Sequence, residues 1–171
     1  MLTLLIMRHA KSGWDDPTLD DHERPLNRRG TRDAPRMAKY MASSDLVPDR
    51  VLCSDAVRTR ATLALLLAEW KAPPPRISYE ARLYLAEPPA LMEAIHRLDR
   101  EVQRCLVLAH NPGVHALTLG LCGGGDRRAL ADAATRFPTS ALAVIDLEID
   151  AWTEIRPGSG RLRTFIYPKA L

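Results

Sequence analysis

With 171 residues, 46% of them hydrophobic, the chain has the size and the apolar content of one ordinary domain, expected to span residues 1–171. Its 24 basic and 21 acidic residues leave a formal net charge of +3, too balanced for a nucleic-acid-binding protein. No apolar run approaches the ~20 residues of a membrane span, and the amino-terminal stretch is too short for a secretion signal, so a cytoplasmic protein with no membrane partner is expected.

The first element is the run Leu2-Thr3-Leu4-Leu5-Ile6-Met7, short, bounded and branched, which reads as a buried strand over 2–7. It ends in Arg8-His9. A cationic pair at the carboxyl end of a buried strand is best accounted for by an anion site, because open α/β sheets bind ligands there. Ser12 to Glu23 reads as a loop shaping the entrance of that site; its aspartates, Asp15, Asp16, Asp20 and Asp21, make weak candidates for metal or acid catalysis. A helix follows at about 28–43, bent or delayed by Pro35, with Arg28, Arg29, Arg32 and Arg36 on its exposed face.

A second strand is expected at 50–54. It leads into Ser54-Asp55-Ala56-Val57-Arg58-Thr59-Arg60-Ala61-Thr62 and a helix over 56–70, with Ser54 or Asp55 as its N-cap. Arg58 then falls near the first turn, where free backbone N–H groups favour an anion, while Arg60 reads as solvated. Ala72-Pro73-Pro74-Pro75 reads as a stiff loop, and Arg76-Ile77-Ser78-Tyr79 as a short strand before a helix at 89–100. A further buried strand over 105–109 ends in His110-Asn111-Pro112-Gly113. Asn-Pro initiates a turn, and Pro112 suits the start of a helix over 113–122. Gly123-Gly124-Gly125 is expected to end that helix flexibly; it lacks the Lys-Ser/Thr of a P-loop. Leu142–Leu147 and Leu162–Tyr167 read as strands joined through the turn Pro157-Gly158-Ser159-Gly160. The pattern is a three-layer α/β/α domain with a mostly parallel central sheet and an antiparallel C-terminal edge ribbon.

Cys53, Cys105 and Cys122 read as reduced thiols, with no Cys/His spacing that suggests zinc. His22, His96 and His115 are given no catalytic role.

Three strand-to-helix junctions thus carry Arg or His, and in this order they resemble the histidine phosphatase superfamily. That family's Arg-His-Gly signature reads here Arg8-His9-Ala10, with alanine for glycine. The chain is most similar to the small SixA-type phosphohistidine phosphatases. Arg24-Pro25-Leu26-Asn27 with Gly30, then Ser54 with Arg58 and Thr62, Leu83-Tyr84, Ala109-His110-Asn111-Pro112-Gly113 and Phe137-Pro138-Thr139-Ser140-Ala141 carry the likeness along nearly the whole chain. The resemblance implies a phosphoglycerate mutase-like fold and a phosphate pocket. In it His9 is the nucleophile, Arg8 and Arg58 clamp the phosphate, and His110 contacts the phosphoryl group. Ser12 lies where some relatives place a phosphate-binding hydroxyl. No cofactor and no metal are implied.

The chemistry suits these residue types. A guanidinium fork meets two phosphate oxygens at once, which lysine cannot copy. A neutral imidazole, with an ordinary pKa of about 6.5, is a competent nucleophile near neutrality, and a covalent phosphohistidine splits one hard step into two. One family feature is missing: ester-cleaving relatives carry a glutamate acid in a Leu-x-Glu context, where this chain has Leu83-Tyr84-Leu85, and Glu80 and Glu87 do not match by spacing. Without a proton donor, an alkoxide whose conjugate acid resembles water's ~15.7 leaves poorly, whereas an imidazole departs easily. The expected activity is therefore dephosphorylation of phosphohistidine on a partner protein. The alternatives are a phosphatase for small phosphate monoesters and a non-catalytic phosphate-binding or phosphohistidine-binding module.

Overall fold

The computed structural model describes residues 1–71 and 73–171; of the expected proline loop, Ala72 lies outside them. Among the described residues seven strands form one sheet: β1 (Leu2–Arg8), β2 (Arg50–Ser54), β3 (Arg76–Glu80), β4 (Arg104–Ala109), β5 (Cys122–Gly125), β6 (Leu142–Leu147) and β7 (Gly160–Ile166). Their order is β3-β2-β4-β1-β6-β7-β5. β3, β2, β4 and β1 are mutually parallel, β6 runs antiparallel to both β1 and β7, and β5 is parallel to β7. The expected antiparallel C-terminal ribbon is β6-β7, but it is not the edge of the sheet: β5 pairs outside it, parallel to β7.

Five α-helices among the described residues cover the two faces: α1 (Arg28–Ser43), α2 (Val57–Glu69), α3 (Pro88–His96), α4 (Gly113–Leu121) and α5 (Arg127–Thr135). The alternation of side chains along β1 sorts them. Leu2, Leu4 and Ile6 pack with Leu91 and Ile95 of α3, Val114 and Leu117 of α4 and Ala129 and Ala133 of α5. Leu5 and Met7 pack with Met37 and Met41 of α1 and Leu63 and Leu66 of α2. Because both faces are covered, Leu4–Met7 of β1 and Cys105–Ala109 of β4 are continuous apolar runs rather than alternating. Each fully buried leucine or methionine contributes roughly 1.5–3 kcal/mol over its exposed state. Trp152 closes one end of the first core, its indole N–H donating to the Val102 carbonyl at 2.8 Å.

Several local expectations are corrected. Gly123-Gly124-Gly125 is a strand, not a flexible helix end, because it must press against neighbouring backbone. A Cβ on Gly123 would stand 2.1 Å from the Gly158 carbonyl oxygen, and Gly125 has a φ of +142°. The helix α5 that follows was not foreseen; it is capped by Asp126, whose side chain accepts from the Ala129 N–H at 2.8 Å. α3 ends at His96 rather than near residue 100, since the chain turns to bury Val102 and feed β4. α1 runs through Pro35 unbroken; the carbonyl left without its N–H partner belongs to Thr31, on the exposed face where water can serve it.

Candidate active site

The carboxyl ends of the adjacent strands β2, β4 and β1 deliver Ser54, His110 and Arg8-His9 to one place. The end of β1 is fixed from both sides. The His9 N–H donates to the Ala109 carbonyl at 3.1 Å, and the Ser140 N–H donates to the Arg8 and His9 carbonyls, each at 3.1 Å. The Phe137 carbonyl accepts from Arg8 Nη1 at 3.0 Å and from the Asn111 side chain at 2.9 Å. Phe137–Ala141 therefore braces the strand end, and the buried Nε of Arg8 has no partner among the described residues.

α2 brings Arg58. Neither Ser54 nor Asp55 is the N-cap expected from the sequence: Ala56 holds that position, because both side chains are engaged elsewhere. Ser54 Oγ lies 2.7 Å from His110 Nε2, and the Asp55 carboxylate 2.8 Å from His22 Nε2. Thr62, one turn beyond Arg58, accepts from the Ala10 N–H at 3.0 Å and ties α2 to the end of β1. Arg60, expected to be solvated, is exposed and lies over the Tyr79 ring at 4.6 Å.

Around Arg58 the hydrogen bonds set the histidine tautomers. His9 Nδ1 lies 2.7 Å from the Ala10 carbonyl, which can only accept, so Nδ1 carries the proton and Nε2 keeps its lone pair. That lone pair accepts from Arg58 Nε at 3.3 Å. Arg58 Nη2 donates to His110 Nδ1 at 3.2 Å, so the His110 proton sits on Nε2 and is directed at Ser54. The two imidazoles lie 5.2 Å apart, centroid to centroid. Burial pushes the His9 pKa down to about 3, helped by the charges of Arg58, Arg8 and Arg24 and opposed by the bond to Ala10. His110 is pushed down to about 3 by burial, then by His9 and Arg58. Burial and Arg58 lower Arg8 as well. Both histidines are neutral near pH 7.

Asp21, only a weak candidate from the sequence, is central to the site. It sits on a 3-10 turn, Asp21–Glu23, and its carboxylate accepts from Arg58 Nη2 at 3.0 Å, from Arg24 Nε at 3.0 Å and, in a very short bond, from the Tyr84 hydroxyl. Burial works to raise its pKa, but the bonds from Tyr84 and Arg24 and the charge of Arg58 outweigh it and hold it at about 2. The spacing Asp21-x-x-Arg24 was the available signal, since residues three apart on a helical turn face each other. Arg24 in turn donates to Ser12 Oγ at 2.9 Å, so Ser12 is held at the site rather than left in solvent.

A cavity of about 290 Å³ opens over these groups, lined among others by Arg8, His9, Ser12, Asp21, Arg58 and His110. All five residues read as a phosphate pocket from the sequence therefore line one space, and Asp21 is the carboxylate among its lining residues. Glu80 and Glu87 do not reach it: Glu80 pairs with Arg82, and Glu87 stands at the start of α3. A larger cleft of about 690 Å³ lies at the opposite ends of the strands, around Thr3, Asp49 and Arg104. Size does not identify the chemistry here; that cleft holds neither histidine nor cysteine among its lining residues. His115 and His96 bond the carbonyls of Ala133 and Ile155 at 2.6 and 3.1 Å, and play structural parts. Cys53 and Cys105 are buried, and burial pushes the Cys53 thiol up to about 12.

An arrangement of two arginines, two neutral imidazoles and a hydroxyl can hold a tetrahedral oxyanion against a nucleophilic nitrogen. Comparison with known proteins shows what the chain is similar to. The signature of the Histidine phosphatase superfamily (branch 1) matches residues 4–84. An uncharacterized protein of Mycobacterium tuberculosis, Rv1276c, is 36% identical over 165 residues, covering 95% of this chain and 100% of that protein. Among solved structures, a candidate phosphohistidine phosphatase SixA from Agrobacterium tumefaciens superimposes with a TM-score of 0.82 at 29% identity, covering 98% of each chain. The protein histidine phosphatase SixA in complex with tungstate does so with a TM-score of 0.78 at 25% identity, again covering 98% of each chain.

Proposed function

The chain belongs to the histidine phosphatase superfamily, and we propose that it is a metal-independent phosphatase that removes phosphate from phosphohistidine on a partner protein. The observation that supports this most is the pairing of an unprotonated His9 Nε2, its proton held on Nδ1 and its lone pair engaged only by Arg58 among the described residues, with a cavity whose carboxylate, Asp21, is held ionised. The site has a nucleophile and cationic clamps but, among the described residues that line it, no protonated carboxyl to serve an alkoxide.

The substrate phosphoryl group docks against the guanidinium groups of Arg8 and Arg58, with Ser12 as a further contact. Tungstate, a tetrahedral oxyanion, is bound by the SixA neighbour, in keeping with such a pocket. Arg58 Nε releases His9 Nε2, and the lone pair attacks phosphorus in line. The His9 N–P bond forms as the substrate N–P bond breaks. When the substrate ring carries a proton on its other nitrogen, it leaves as neutral imidazole and needs no acid from the enzyme. Water then attacks the phosphorus of phospho-His9, inorganic phosphate departs, and Nε2 recovers its lone pair. Arg8, Arg58 and His110 supply the polar stabilisation that phosphoryl transfer demands.

The test is release of phosphate from a ³²P-labelled phosphohistidine carrier protein in EDTA, by wild type and His9→Ala. Rapid release by wild type alone is the expected result. Release that requires added metal, or that survives in His9→Ala, contradicts the assignment; no release by either sends the search to small phosphate esters and to a binding module.

A further inference from the structure

The mouth of the His9 cavity carries two large apolar side chains that the chemistry above does not use. Trp14 is 71% exposed and Leu85 50%, and both line the cavity. Neither dangles. The Arg24 guanidinium carbon lies 3.5 Å from the centre of the Trp14 ring, and Arg24 is itself buried and fixed by Ser12, the Gly13 carbonyl and Asp21. The indole is thus supported by a held cation, which leaves most of its surface open.

Leu85 is held differently. Its φ is +48°, a left-handed conformation that leucine rarely adopts. The Ala86 N–H donates to the Leu83 carbonyl at 3.4 Å. The Ala86 carbonyl lies so close to Gly113 that a Cβ there would stand 1.9 Å from it. An exposed leucine in a strained backbone, fixed by its neighbours, is typical of ligand clamps rather than of free loops.

In-line transfer fixes what these side chains meet. His9 is 6% exposed and forms the floor, so a leaving group opposite its Nε2 points toward the mouth. Resting on the phosphohistidine reading, we propose that Trp14 is a specificity-determining residue whose indole stacks on the imidazole ring of the substrate phosphohistidine, with Leu85 as the second apolar wall. The occupant is a histidine side chain projecting from a folded phosphoprotein. The pocket then selects the leaving group by its flat apolar face, through the offset or edge-on contact that aromatic rings favour, while the arginines read only the phosphate.

The experiment compares kcat/KM for phosphoimidazole, which has the ring, with that for phosphoramidate, which has the P–N bond but no ring. Wild type, Trp14→Ala and Trp14→Phe are assayed at matched fold, checked by melting temperature. The expected result is a fall of about tenfold in the phosphoimidazole-to-phosphoramidate ratio for Trp14→Ala, carried by KM, and recovery to within about threefold of wild type for Trp14→Phe. Equal losses on both compounds, or no loss on either, overturn the assignment and leave the phosphatase reading standing. Failure of the wild type to turn over phosphoimidazole overturns the phosphohistidine reading, and the Trp14 assignment falls with it.

Discussion

Arg58 and Asp21 are joined twice, through Arg58 Nη1 to the Asp21 main-chain carbonyl at 2.6 Å and through Nη2 to its carboxylate at 3.0 Å. With its bonds to His9 and His110, Arg58 has four of its five N–H donors engaged by the protein while only 2% exposed. A phosphate entering the cavity must therefore take over donors that Asp21 holds. Asp21→Asn keeps the main-chain bond but removes the negative charge from an anion site. The expected outcome is a lower melting temperature, by the loss of Arg58's counter-ion, and a stronger stabilisation by inorganic phosphate than in wild type. Thermal melts across a phosphate titration measure both; equal phosphate shifts in the two proteins would refute the competition.

The fork geometry makes Arg58→Lys and Arg8→Lys informative because charge is kept while the planar donor pair is lost. Each should lower kcat/KM on phosphohistidine protein by at least about a hundredfold, in line with other removals of preorganised transition-state donors. Denaturing quench during turnover should trap acid-labile, base-stable phosphate on wild-type protein and none on His9→Ala. Label recovered on a residue other than His9 would exclude His9 as the carrier.

Stability should depend on pH through the two site histidines. Their folded values of about 3 lie below the ordinary value of about 6.5 that they regain on unfolding. The unfolded chain therefore binds protons that the folded one refuses as pH falls. The contribution is fully present above pH 6.5 and is lost as pH drops toward 3, by up to about 1.4 kcal/mol per pH unit for each histidine. Melting temperatures from pH 7 to 4.5 should fall more steeply for wild type than for a His9→Asn, His110→Gln double variant. Parallel curves would show that the two rings do not titrate in this way.

Leu85 offers a gain-of-function test. It lines the cavity whose carboxylate, Asp21, is held ionised, and a positioned general acid is worth ~10²–10⁴ in rate. Leu85→Glu should raise kcat/KM on an alkyl phosphate relative to phosphohistidine by at least about tenfold. An unchanged ratio would mean that leaving-group protonation does not set the substrate preference.

The strands and their terminal Arg8-His9, Ser54 and His110 could be read from the sequence because local rules govern them: apolar runs mark buried strands, and a charge at the end of such a run has to answer to a ligand. The order of Arg8-His9, Arg58 and His110 along the chain was likewise enough to place it in a family. Sequence alone could not say that Asp21, 37 residues from Arg58, closes a four-way hydrogen-bonded cluster with Arg24 and Tyr84, nor that Trp14 and Leu85 flank one cavity. The glycine strand β5 and the replacement of Ser54 by Ala56 as cap were hidden for the same reason. Each depends on what another part of the chain presents, a Gly158 carbonyl in one case and a His110 imidazole in the other. Periodicity and capping preferences describe a segment against water and an average core, whereas the protonation of His9 and the hold on Arg58 follow from particular neighbours that only tertiary packing brings within hydrogen-bonding distance.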